Sequence, residues 1–177
     1  MDITNLVENY SFNEKNDPYV GSKFEKYRNL TSKAKGTVGE RWFDLWATSQ
    51  GLTSFTSTNA ITHGVTTLSE GERTSDFDRV INSKRFEIKF STIWKDANCF
   101  KFQQLRESQN YNYIVFGFVY PNTVELFYIE KSKLDFSSLK GQHGGVGGTD
   151  TRWLSVKSPQ ELPHGFKSIS ELVNEIN

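Results

Sequence analysis

Apolar and polar positions alternate most clearly over 78–90, and that stretch predicts a β-hairpin. Val80-Ile81 closes a first run, Asn82-Ser83 is a polar turn pair, and Arg85-Phe86-Glu87-Ile88-Lys89-Phe90 alternates again. A period of two sets Phe86, Ile88 and Phe90 on one face and Arg85, Glu87 and Lys89 on the other. Upstream, Thr37-Val38-Gly39-Glu40 has the form of a capping box and predicts a helix that begins at Thr37 and ends at Gln50-Gly51. Val38, Trp42, Leu45 and Trp46 recur at helical spacing and are expected to face a sheet. A strand is predicted from 52, leading into a loop over 60–74. A further loop spans 92–98, and a helix is predicted over 100–110 with Phe100, Phe102 and Leu105 inward. The run 111–120 is almost continuously apolar and predicts a strand buried on both faces. Strands over 123–130 and 153–156 follow, and a short amphipathic helix over 168–176 closes the chain.

The predicted order is helix, strand, two hairpin strands, helix, strand, strand. It implies an α/β fold, a mixed central sheet flanked by helices, in one domain of 177 residues. Equal numbers of acidic and basic residues leave no net charge, but the middle of the chain is basic. Lys23, Lys26, Arg28, Lys33, Lys35 and Arg41 crowd one such stretch. A single Cys99 excludes an internal disulfide and a Cys-based zinc site. The first 15 residues lack the basic and apolar blocks of a signal peptide, and no apolar run reaches the length of a membrane span. A cytoplasmic location without membrane association is the expectation.

The hairpin carries Asp78, Glu87 and Lys89 as D-x8-E-x-K. Glu87 and Lys89 stand about 7 Å apart along an extended strand. Asp78, on the partner strand, can reach the same place. Two carboxylates and an ammonium that converge can hold a divalent ion and position a water. Asp76, two residues earlier, is the alternative acid. The hairpin resembles that of the PD-(D/E)xK nuclease superfamily, which includes restriction endonucleases and Holliday-junction resolvases, although Phe77 stands where the family usually has proline. The helix KGTVGERWFDLWATSQG also resembles the first helix of the resolvase-type members, in which a glutamate joins the site; Glu40 holds the matching position. In the capping-box reading the same Glu40 serves only the helix end.

The resemblance extends over about 33–130. It implies a restriction-endonuclease-like fold and a Mg²⁺- or Mn²⁺-dependent endodeoxyribonuclease acting on double-stranded DNA. A type II restriction homodimer is the leading form. A junction resolvase or repair nuclease of the same fold is the nearest rival, and a DNA-binding module without activity is the rival from another class. Within this reading Asp78, Glu87 and the Ile88 carbonyl hold the metal, Lys89 serves the reacting water or phosphate, and Glu40 assists. Gln103 and Gln104 match a glutamine that many members place near the lysine. Lys33 and Lys35 are candidates for phosphate contact. The glycine-rich stretch 141–152 offers Gln142, His143 and Arg152 for base reading. Trp94 either covers the sheet or stacks on a base.

Overall fold

A computed structural model describes residues 17–94, 97–141 and 150–176. Their order begins with a short helix α1 (Glu25–Arg28), then α2 (Ser32–Ser49), β1 (Phe55–Thr56) and α3 (Ser57–Thr62). The strands β2 (Arg79–Ile81), β3 (Lys84–Thr92), β4 (Phe100–Arg106), β5 (Tyr113–Val119) and β6 (Val124–Glu130) follow. The chain closes with β7 (Lys140–Gly141), β8 (Thr151–Val156), β9 (Lys167–Ser168) and α4 (Leu172–Ile176). The fold is mixed α/β. A six-stranded mixed sheet runs β1-β2-β3-β5-β6-β9, and a three-stranded sheet runs β4-β8-β7.

The hairpin forms where the alternation predicts it. Ile81 pairs with Lys84 across Asn82-Ser83, and both turn residues have positive φ (47° and 60°), as a two-residue hairpin turn with right-handed strand twist requires. β3 then lies parallel to β5, with Glu87 beside Ile114 and Lys89 beside Phe116. The connection between these parallel strands runs through β4.

That connection corrects the helix predicted over 100–110. Phe100 and Phe102 alternate inward as in a strand. Gln104, at φ +59°, then inserts an extra residue where the pairing with β8 shifts between Phe102 and Leu105. This bulge moves the next inward residue to Leu105, and the apolar spacing mimics a helix. The helix predicted from Thr37 is also longer. Thr31 is the true cap, its hydroxyl accepting from the Ala34 N–H at 3.3 Å, so the small basic stretch before Thr37 is helical. The loop predicted over 60–74 begins inside α3.

The inward face of α2 is Gly39, Phe43 and Ala47, flanked by Trp42 and Trp46; Leu45 is 66% exposed. This face packs on Phe86, Ile88, Val115 and Tyr128 of the large sheet, and α4 closes the same layer with Leu172 and Ile176. The opposite sheet face carries Ile114, Phe116 and Phe118 and is covered by Phe100, Phe102 and Leu105 of the small sheet. Phe102 stacks on Phe116 with centroids 4.0 Å apart. Each such buried side chain contributes roughly 1.5–3 kcal/mol. Arg85, Glu87 and Lys89 share this second face, so the polar side of the hairpin faces another sheet and Glu87 is only 4% exposed.

Phe90 is wedged between α2 and β5 at two glycines. A Cβ on Gly39 would lie 2.5 Å from its Cδ2, and one on Gly117 would come nearer still to Cε1. Gly36, on the same helix, has open space. Gly→Ala inside a helix ordinarily stabilises by about 1 kcal/mol. Gly36→Ala is expected to follow that rule. Gly39→Ala is expected to reverse it, with a net loss of about 1–3 kcal/mol from overpacking. Thermal melts of the two variants check the contrast; equal shifts would refute the wedge.

Candidate active site

Asp78 follows the 3₁₀ turn at 74–76 and stands one residue before β2, where its N–H donates to the Phe86 carbonyl at 2.8 Å. β2 pairs with β3 only as far as Arg79 against Phe86. The next β3 amide on that edge, Ile88 N–H, donates to Asp78 Oδ2 at 2.7 Å. Strand geometry directs the Ile88 carbonyl to the same edge as its N–H. Asp78 therefore sits against the main chain between Glu87 and Lys89.

Glu87 lies beneath, ion-paired to Lys89 Nζ. Burial pushes the Glu87 carboxyl up to about 7, with the Asp78 charge adding to the rise and Lys89 opposing it. Burial alone would lower the Lys89 ammonium, but the charges of Glu87 and Asp78 outweigh it and hold the ammonium above its ordinary value. The side chain of Lys89 keeps 22% exposure and opens onto a cleft of about 560 Å³.

The other wall of the cleft is α2, and here the capping-box reading of Glu40 fails. Glu40 lies in the helix interior and accepts from Arg79 Nη1 at 2.7 Å. Burial raises its carboxyl, Asp78 raises it further, and Arg79 pulls it down. Arg79 is itself buried, and its guanidinium also grips Asp44 through Nε at 2.8 Å and Nη2 at 3.1 Å. Arg79 and Asp44 were not singled out from the sequence. The signal available was an arginine in the otherwise apolar triplet Arg79-Val80-Ile81, and Asp44 four residues after Glu40 on one helix face.

The cleft lining also holds Arg28, Lys35, Lys101, Trp94, Gln103 and Gln104. Gln103 and Gln104 reach it from the bulge of β4 rather than from a helix. Lys35 faces the cleft from α2, with its ammonium lowered by burial and by Arg28, whereas Lys33 is exposed outside it. Asp76 is committed elsewhere: its Oδ2 caps the Arg73 N–H at 2.9 Å. Arg152 lies on β8 opposite Leu105, away from the cleft lining. Gln142 and His143 lie outside the described residues.

Among the described residues no three His, Cys, Asp or Glu side chains gather as a metal-binding cluster. The donors available for a cation are two carboxylates, Asp78 and Glu87, and the Ile88 carbonyl. All are hard oxygen donors, which suit Mg²⁺ or Mn²⁺. Glu87 is a buried carboxylate next to a second one, and a cation between them would offset the burial and the repulsion that raise it. The residues present therefore fit a divalent ion. Among the described residues, no helix is long and apolar enough to cross a membrane. Compared with known proteins, the chain matches no family model, no curated protein and no solved structure.

Proposed function

We propose that the protein is a Mg²⁺-dependent endodeoxyribonuclease, with a restriction-endonuclease-like core formed by α2, the β2–β3 hairpin, β5 and β6. The observation that carries this reading is the convergence of Asp78, Glu87 and Lys89 around the Ile88 main chain at the edge of a basic cleft. The crossover through β4, where a helix is expected, is a departure from the implied pattern. It leaves the hairpin and its neighbours in the order that the reading needs.

Asp78, Glu87 and the Ile88 carbonyl would hold the ion, which supplies charge neutralisation at the scissile phosphate and a more acidic attacking water. The residues of the chain do the rest. Lys89 presents its ammonium to the cleft, where it orients the water or offsets charge on the pentavalent phosphorus. Glu87 and Asp78 keep that ammonium protonated. Lys35 and Lys101 line the cleft where the flanking phosphates would pass. In the restriction form two copies would each cut one strand.

Plasmid nicking tests the reading. Cleavage is expected with Mg²⁺ or Mn²⁺ and is expected to stop in EDTA. Ca²⁺ should support binding without cleavage, because it is larger and activates water less well. Full activity in excess EDTA would refute the mechanism. A second reading, junction resolvase or repair nuclease, is favoured by Glu40, which enters the cleft from α2 beside Asp78 and Lys89. Preference for a four-way junction over linear duplex would select it.

A further inference from the structure

The outer face of the small sheet continues from the cleft and has a composition of its own. Phe100 and Phe102 of β4 turn inward with Leu154 and Val156 of β8, so Lys101, Gln103, Trp153 and Ser155 turn outward. Lys140 of β7 is paired with Trp153. Lys101 Nζ stands 4.1 Å from the ring centroid of Trp94 and 5.7 Å from that of Trp153. Lys140 Nζ stands 5.4 Å from the other tryptophan centroid of the row, that of Trp153. Trp94 is 40% exposed and lines the cleft together with Lys101 and Gln103. Lys101, Arg106 and Lys140 are the basic residues on this face, and the three strands carry no acidic residue. The acid just before β8, Asp150, is bound to the Ser108 hydroxyl and N–H.

We propose that this face binds single-stranded DNA, stacking bases on Trp94 and Trp153 while Lys101 and Lys140 take the phosphates, and that it delivers the strand to the Asp78–Glu87–Lys89 cleft. The choice of DNA rests on the nuclease reading; the preference for an unpaired strand rests on this face alone. Alternating indoles and ammoniums match the alternating bases and phosphates of one strand. A duplex has its base faces stacked on one another and offers none to an indole. A merely acidic partner would be served by the lysines and would leave the exposed Trp94 ring and the half-buried Trp153 ring unused. The substrate implied is DNA with an unpaired segment beside the cut, such as a flap, a bubble or a junction arm.

The test is binding by the full chain in EDTA, where cleavage cannot intervene. Fluorescence anisotropy is measured with a labelled oligothymidylate, an abasic oligomer of equal length and a duplex of equal length. Oligothymidylate is expected to bind at least roughly 5-fold tighter than the abasic oligomer, the smallest effect expected from losing even one stacked base. Trp94→Leu and Trp153→Leu should each reduce that preference. Trp153→Phe should keep it, although it loses the same Nε1–H bond to the Gly141 carbonyl that Trp153→Leu loses. This pair separates stacking from a structural role. Equal affinity for the abasic oligomer, or wild-type preference in both leucine variants, would overturn the proposal. The preference with no cleavage in Mg²⁺ would uphold the face and sink the nuclease reading. Cleavage without the preference would do the reverse.

Discussion

Substitution at Asp78, Glu87 or Lys89 is expected to remove Mg²⁺-dependent nicking, each by at least ~10²–10³-fold, the loss typical of removing one preorganised charge from a reacting centre. Near-isosteric variants make the result interpretable. Asp78→Asn keeps an oxygen that can accept the Ile88 N–H, so the hairpin edge stays tied while the charge goes. Glu87→Gln keeps the shape of the side chain and removes its charge; it is expected to cost some stability, because Lys89 loses its buried partner. Lys89→Met keeps the aliphatic stem and loses the ammonium. Asp76→Ala is the control: its carboxylate caps Arg73 outside the cleft, and the variant should cleave at nearly the wild-type rate. Circular dichroism and melting confirm the folds, and single-turnover nicking gives the rates. A wild-type rate in a folded Lys89→Met or Glu87→Gln would remove that residue from the site. Loss of activity in Asp76→Ala with activity kept in Asp78→Asn would transfer the acid role to Asp76.

The hairpin was legible because its information is local: two alternating runs and a turn pair define strands, register and which residues share a face. The strands over 113–119 and 124–130 were legible for the same reason. What lay above that face was not. Nothing near Glu87 in the chain announces that β4, fourteen or so residues on, folds over it as part of a second sheet. The bulge at Gln104 hid that strand by breaking its alternation. Without the covering sheet, Glu87 and Lys89 read as an exposed pair, which would contribute little. With it, they are a buried pair whose charges each depend on the other. The start of α2 was misplaced for a different reason. Two cap signals, Thr31 and Thr37, compete within two turns, and the glutamate after Thr37 belongs to the cleft instead of the cap.

Arg79→Met is expected to cost about 2–4 kcal/mol and to lower Tm by roughly 5–12 °C, because it opens the Arg79–Asp44–Glu40 link that ties α2 to the hairpin through charge. The guanidinium is buried and spends three nitrogens on Asp44 and Glu40, and it also donates to the Asp78 carbonyl at 3.0 Å. Breaking a buried pair from one side costs about 3–5 kcal/mol, since the partner charge is left without compensation. Here the side chains of Glu40 and Asp44 keep 30% and 35% exposure, so water recovers part of that loss, and the expected cost falls about 1 kcal/mol below that range. Methionine retains the stem volume, which keeps cavity formation out of the comparison. The double variant Arg79→Met, Asp44→Leu should be more stable than Arg79→Met alone, as one stranded carboxylate is then gone. Cleavage should fall as well, because Glu40 loses the contact that fixes it in the cleft wall and its carboxyl, freed from Arg79, rises further. A melt of Arg79→Met that coincides with wild type would show that apolar packing of Phe43 and Ala47 alone seats the helix. A double variant less stable than Arg79→Met would show that Asp44 holds α2 through Ser54, whose hydroxyl donates to it at 2.7 Å, and not through the arginine.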